Sequence, residues 1–157
     1  QQPISLTYLS TDRPKNVDRG SMNFTTEKDY YTSNNADYKG NPYDKGHLAP
    51  AATFSDSEEN LRQTFSFLNC ALQKDKLNRG AWRFLEAEER KWDDTRDLEI
   101  TIDIEFTDIV MDFGATLPSK FIKHIKFVDD GTYKCFDFPN EDPTKKWDQY
   151  EVFHSHE

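Results

Sequence analysis

The clearest pattern in the chain is a strict alternation between residues 98 and 106. Leu98, Ile100, Ile102, Ile104 and Phe106 fall on one parity and Glu99, Thr101, Asp103 and Glu105 on the other. A period of two predicts a strand with one face buried. Phe121–Val128 and Tyr133–Phe138 flank Asp129-Asp130-Gly131-Thr132 and predict a hairpin. Upstream the period changes. Trp82, Leu85 and Trp92 recur at helical spacing, with Glu86, Glu88, Glu89, Arg90 and Lys91 on the polar faces, predicting a helix over about 78–92. Ser55-Asp56-Ser57-Glu58 has the form of a capping box and predicts a short helix to about Thr64. The apolar run 65–72 predicts a buried strand. Residues 10–46, rich in Asn, Asp, Lys, Tyr and Gly, predict short strands and loops. The fold class expected is α+β with a mainly antiparallel sheet.

Composition narrows the class without naming a function. A length of 157 residues suggests one domain, 1–157, and 14% aromatics argue against disorder despite 31% charged residues. No apolar run approaches a membrane span. The chain opens Gln1-Gln2-Pro3, with no initiator Met and no basic-then-apolar leader; removal of a leader and an arbitrary start fit this equally. Cys70 and Cys135 can close one bridge or remain two buried thiols; the apolar run around Cys70 favours the second.

The net charge of −9 is unfavourable for a nucleic-acid protein, but its distribution changes the picture. Residues 1–92 carry thirteen bases and thirteen acids, so the whole excess lies in 93–157. Within 60–92 the seven bases outnumber the four acids. An anionic substrate docking there is compatible with the local field.

Four histidines are candidates for chemistry. His154 and His156 sit in a terminal tail and predict a solvated strip. His124 and Lys126 suggest an HxK phosphodiesterase motif, but that motif needs an Asp where Gly131 stands. No Walker loop, GxGxxG or HExxH is present. His47 lies in Tyr43-Asp44-Lys45-Gly46-His47-Leu48-Ala49-Pro50, with an acid and a base just before it. It is followed by Asn69, Gln73, Asn78, Trp82 and Glu86 at spacings of four, five, four and four. On one helix, Asn78 and Glu86 would project from neighbouring parts of a face, with Asn78 in the first turn. A carbonyl oxygen and a carboxylate suit a hard, hydrated cation.

Asp44-Lys45-Gly46-His47 with this spaced set resembles the DNA/RNA non-specific endonucleases, the ββα-metal or His-Me finger nucleases (endonuclease G-like and secreted bacterial enzymes). Asp18-Arg19 with Phe24, Leu117–Lys123 and Phe138-Pro139-Asn140 extend the resemblance to about 19–140. The resemblance implies an α+β fold with a ββα-metal active-site core and His47 as general base. It implies Asn78 as the single protein ligand of a hydrated Mg²⁺, with Mn²⁺ able to substitute, and Glu86 holding a water of that ion. Arg19 and Lys45 would contact substrate phosphate, with Asn69 and Gln73 supporting that substrate side. DNA and RNA are the implied substrates, without a membrane partner, and the products would carry 5′-phosphates. Two departures stand out: Lys45 replaces the usual Arg, and the chain stops soon after Val152. Two other readings compete: a nuclease toxin held by an inhibitor protein docked on the acidic 93–157 region, and an inactive nucleic-acid-binding relative. The acidic balance suits a secreted or otherwise non-cytosolic protein and few phosphate contacts.

Overall fold

A computed structural model describes residues 2–153. His154 and His156 therefore lie outside the described residues. Five strands form one antiparallel sheet in the order β1 (Ser5–Ser10), β4 (Leu98–Val110), β5 (Thr116–Phe127), β6 (Tyr133–Pro139) and β7 (Glu151–Val152). A separate two-stranded antiparallel sheet pairs β2 (Tyr43–His47) with β3 (Cys70–Lys74).

The alternation at 98–106 has its expected consequence. Leu98, Ile100, Ile102 and Ile104 are buried, and β4 continues beyond the alternating stretch to Val110. The predicted hairpin is β5–β6, with Lys126 opposite Tyr133. Helix α3 (Ala81–Trp92) lies on the inner face of this sheet. Its Trp82 is fully buried, with ring centroids 5.5 Å from Phe121 and 5.6 Å from Phe138.

Three expected elements differ. The helix predicted over 78–92 is two helices, α2 (Asp75–Arg79) and α3, parted at Gly80, whose φ and ψ are both −113°. A Cβ at Gly80 would stand 2.5 Å from the Lys76 carbonyl oxygen, so the chain can double back closely only without one. Asn78 thus lies in the last turn of α2 and not in the first turn of a long helix. The run 65–72 is not one strand: Phe67–Asn69 forms a 3-10 turn and pairing begins at Cys70. The helix α1 (Glu58–Gln63) is capped by Ser57, which accepts from the Asn60 N–H, while the Ser55 hydroxyl donates back to the Ala52 carbonyl. Cys70 and Cys135 are separate buried thiols.

Candidate active site

His47 is the last residue of β2, on the same strand face as Lys45. Its ring is wedged against Phe24 and Phe65, each centroid 4.6 Å away. Asn69 secures the chain just beyond it. The Asn69 Oδ1 accepts from the Ala49 N–H at 2.8 Å, and its Nδ2 donates to the Ala49 and Thr64 carbonyls. The Leu48 N–H donates to the Asn69 carbonyl. Gly46, one residue before His47, leaves room for Gln73: a Cβ there would meet Gln73 Oε1 at 2.5 Å and Gln73 Cβ at 2.8 Å.

Two cavities of about 420 Å³ share Arg19, His47 and Asn78 in their walls. The first also has Asp44 and Lys45; the second has Arg79, Arg83, Glu86 and Arg90. The tertiary structure thus brings together five of the seven residues singled out in the sequence: Arg19, Lys45, His47, Asn78 and Glu86. Asn69 and Gln73 line neither of these cavities. Both are buried, Gln73 against Gly46 and Asn69 against the chain just beyond His47, and Asn69 also borders a neighbouring cavity with Ala49 and Thr64.

Asp44 sets the orientation of Asn78. It accepts from Asn78 Nδ2 at 2.9 Å and from Arg79 through two bonds of 2.8 and 2.7 Å. A carboxylate only accepts, so the amide nitrogen must face it and the Asn78 Oδ1 is left for another partner. Nearby, Nε2 of His47 and Oε2 of Glu86 are buried without a hydrogen-bond partner. Buried polar atoms are normally satisfied. An amide oxygen and an unsatisfied carboxylate oxygen in the walls of one cavity fit a hard cation that keeps most of its waters.

Burial, assisted by the Arg19 charge, pushes the His47 imidazole down to about 3, so it is neutral at physiological pH. Burial pushes the Glu86 carboxyl up to about 8; the Lys123 ammonium opposes this and Glu89 reinforces it. Below the site, Lys123 and Glu89 are fully buried and paired at 2.8 Å, with the Tyr8 hydroxyl donating to Glu89 at 2.5 Å. Lys123 also lies 4.1 Å from the Trp82 ring centroid.

Sequence reasoning gave no site role to Asp44, Arg83 or Arg90, and it placed Glu89 on a polar face, whereas Glu89 is fully buried against Lys123. One signal was readable: Lys123 shares the inward parity of Phe121 and Ile125, where a charge needs a buried partner. His124 is accounted for elsewhere, held between Asp103 Oδ2 at 2.9 Å and the Tyr133 hydroxyl.

Comparison with known proteins bears on the family and the fold. Human mitochondrial endonuclease G is 44% identical over 57 residues, covering 36% of this chain and 19% of that protein. A nuclease of Syncephalastrum racemosum is 36% identical over 85 residues, covering 52% and 27%. Nuclease 1, mitochondrial, of Schizosaccharomyces pombe is 41% identical over 51 residues, covering 32% and 16%. The matched stretches thus span less than a third of these relatives' own lengths. Among solved structures, a chain of an EndoG/EndoGI complex superposes with a TM-score of 0.82 at 22% identity, over 96% of this chain and 73% of that one. That likeness is one of fold. The family model for DNA/RNA non-specific endonucleases matches residues 4–154, a span that takes in the whole His47 cavity and the sheet behind it, and the chain belongs to that family.

Proposed function

We propose that this chain is a Mg²⁺-dependent endonuclease that hydrolyses phosphodiester bonds of DNA and RNA without sequence selectivity. The observation that carries the reading is the shared cavity. It holds a neutral, wedged imidazole with a free Nε2, an amide oxygen fixed by Asp44, an unsatisfied carboxylate oxygen and the Arg19 guanidinium.

In this reading Arg19 receives the scissile phosphate. Docking the phosphate offsets the Arg19 charge that disfavours a proton on His47, so the imidazole becomes a better base as substrate arrives. Nε2 of His47 takes a proton from water as the oxygen–phosphorus bond forms. The bond from phosphorus to the 3′ oxygen breaks, and that oxygen is protonated from solvent, leaving a 5′-phosphate and a 3′-hydroxyl. Asn78 Oδ1 and Glu86 would hold the hydrated Mg²⁺, which when bound supplies positive charge to the phosphate and the leaving oxygen. Asp44 acts as a positioning residue for Asn78. Contacts to phosphate position a strand and do not read bases, which supports a lack of sequence selectivity.

Nicking of a supercoiled plasmid with Mg²⁺, and its absence in EDTA, tests the reading. His47→Ala is expected to lower kcat by about 10²–10⁴-fold while the protein remains folded. Wild-type-like nicking by this variant would refute the role given to His47. A solved chain of the same fold is in complex with EndoGI, which supports a second feature, control by an inhibitor protein, tested by co-purification; the acidic 93–157 region is the dock proposed for it on charge. The mitochondrial names of two relatives support a site of action outside the cytosol.

A further inference from the structure

A third cavity, of about 310 Å³, opens beside helix α3 and is lined by Ala81, Phe84, Trp147, Lys145 and Lys146. Phe84 is 60% exposed, whereas Trp82 and Leu85 on the same helix are fully buried. The core face of α3 is complete without it, so packing gives Phe84 no reason to be a large aromatic. Trp147, in the 3-10 turn Trp147–Tyr150, is fixed by ring contacts to Trp92 at 6.3 Å and Phe136 at 6.1 Å. The wall it offers is rigid.

Lys145 and Lys146 are exposed and, among the described residues, in no ion pair; Lys145 Nζ lies 4.8 Å from the Tyr150 ring centroid. Among the described residues no carboxylate lines the cavity; of the acids near it in sequence, Asp142 and Glu88 are paired, with Lys74 at 3.1 Å and Lys91 at 3.5 Å, and Asp148 beside Trp147 is exposed. Aromatic walls with uncommitted ammonium groups suit single-stranded nucleic acid: bases stack on the rings and phosphates meet the cations.

The place of the cavity adds to the argument. Arg79 and Arg83 line the His47 cavity, while Ala81 and Phe84 line this one, so the two open on either side of one stretch of chain. A helix is about 10 Å across, a width comparable with the span of a few nucleotides.

We infer that the slot between Phe84 and Trp147, flanked by Lys145 and Lys146, binds an unpaired nucleobase and its adjoining phosphates. The slot gives the enzyme a preference for single-stranded over duplex substrate. The inference rests on the nuclease reading above. In a duplex each base is stacked and paired, and entering the slot carries the cost of unstacking; in a single strand it does not.

The test measures binding in EDTA, where no cleavage intervenes, using a labelled oligothymidylate of about a dozen nucleotides and a blunt duplex of equal length. Phe84→Ala is expected to weaken oligothymidylate binding about ten-fold, with a much smaller effect on the duplex, and Phe84→Trp to restore it. Replacing both Lys145 and Lys146 with Ala should flatten the slope of log affinity against log salt by about 1.4. Unchanged oligothymidylate affinity in Phe84→Ala overturns the inference, as does an equal loss on strand and duplex. Sedimentation supplies a further overturning outcome: a wild-type dimer that Phe84→Ala splits without changing affinity makes the slot a contact between copies. Because binding is read without metal, failure of the wild type to cleave anything in Mg²⁺ counts against the nuclease reading separately.

Discussion

Glu86 couples stability to pH at the residue proposed to hold the metal's water. Its folded-state pKa is raised to about 8 from an ordinary value near 4.5. Between those values the folded protein keeps a proton that the unfolded chain has lost, so rising pH costs stability across that window. His47 works in the opposite sense and lower down. With its pKa depressed to about 3, it removes stability as pH falls below about 6.5. Between pH 6.5 and 8 only the Glu86 effect of the two remains. Glu86→Gln is therefore expected to be more stable than wild type at pH 8 in EDTA, by roughly 1–3 kcal/mol, while losing nuclease activity. Thermal melts of both proteins from pH 5 to 8 check this; parallel curves would contradict it. Lys45, on the His47 face of β2, supplies a point charge where the family usually carries Arg. Lys45→Arg should keep or raise kcat/KM, and Lys45→Ala should lower it about ten-fold or more, as for one lost charged hydrogen bond. An inactive Lys45→Arg would mean that the pocket is shaped around an ammonium group.

At the scale of elements, the junction between α2 and α3 decides where Asn78 and Glu86 stand. Propensity favours Ala over Gly within a helix by about 1 kcal/mol, so on that ground alone Gly80→Ala would stabilise the protein. The structure opposes this, because a Cβ at Gly80 meets the backbone carbonyl of Lys76, which cannot yield without moving the last turn of α2. That turn carries Asn78 and Arg79, both tied to Asp44. Gly80→Ala is thus expected to destabilise the protein by about 1–3 kcal/mol and to weaken Mg²⁺ dependence as well. A melt together with a Mg²⁺ titration of nicking checks both, and a gain in stability with unchanged Mg²⁺ response would contradict the account. The β2–β3 hairpin does the complementary task. It delivers His47 to the cavity from the other side, with Asn69 locking the strand exit.

Across the whole molecule, a net charge of −9 coexists with a cationic site. Arg19, Lys45, Arg83 and Arg90 surround the two cavities, and none forms an ion pair among the described residues, whereas Arg79 is committed to Asp44. Four uncommitted cations near a duplex predict a slope of log affinity against log salt of about 3–4 in magnitude, from roughly 0.9 per phosphate neutralised. Plasmid binding by a His47→Ala variant over a range of NaCl measures it. A slope implying six or more contacts would show a wider basic surface than these residues provide. The sheet behind the site is held on an unusual foundation for a small core, the buried Lys123–Glu89–Tyr8 network next to Trp82. Its alignment beside Glu86 links the packing of β5 to the ionisation of the site.

The sequence by itself determined the elements whose side chains obey a short period: β4 from its alternation, the β5–β6 hairpin from its turn, and the amphipathic body of α3. It also carried the family, because Asp44-Lys45-Gly46-His47 and the spacing from Asn69 to Glu86 are properties of the chain alone. Only the tertiary structure decided what depends on contacts between distant residues. The close approach of Gly80 to a carbonyl four residues away, which leaves no room for a Cβ, is a contact that propensity does not report. The orientation of the Asn78 amide is set by Asp44, thirty-four positions earlier. Arg19 joins His47 in the walls of both cavities, and Asn69 and Gln73 pack behind the strand that carries it. Periodicity reports which face of an element is apolar, but not what that face meets, and a net charge sums over a surface that folding divides.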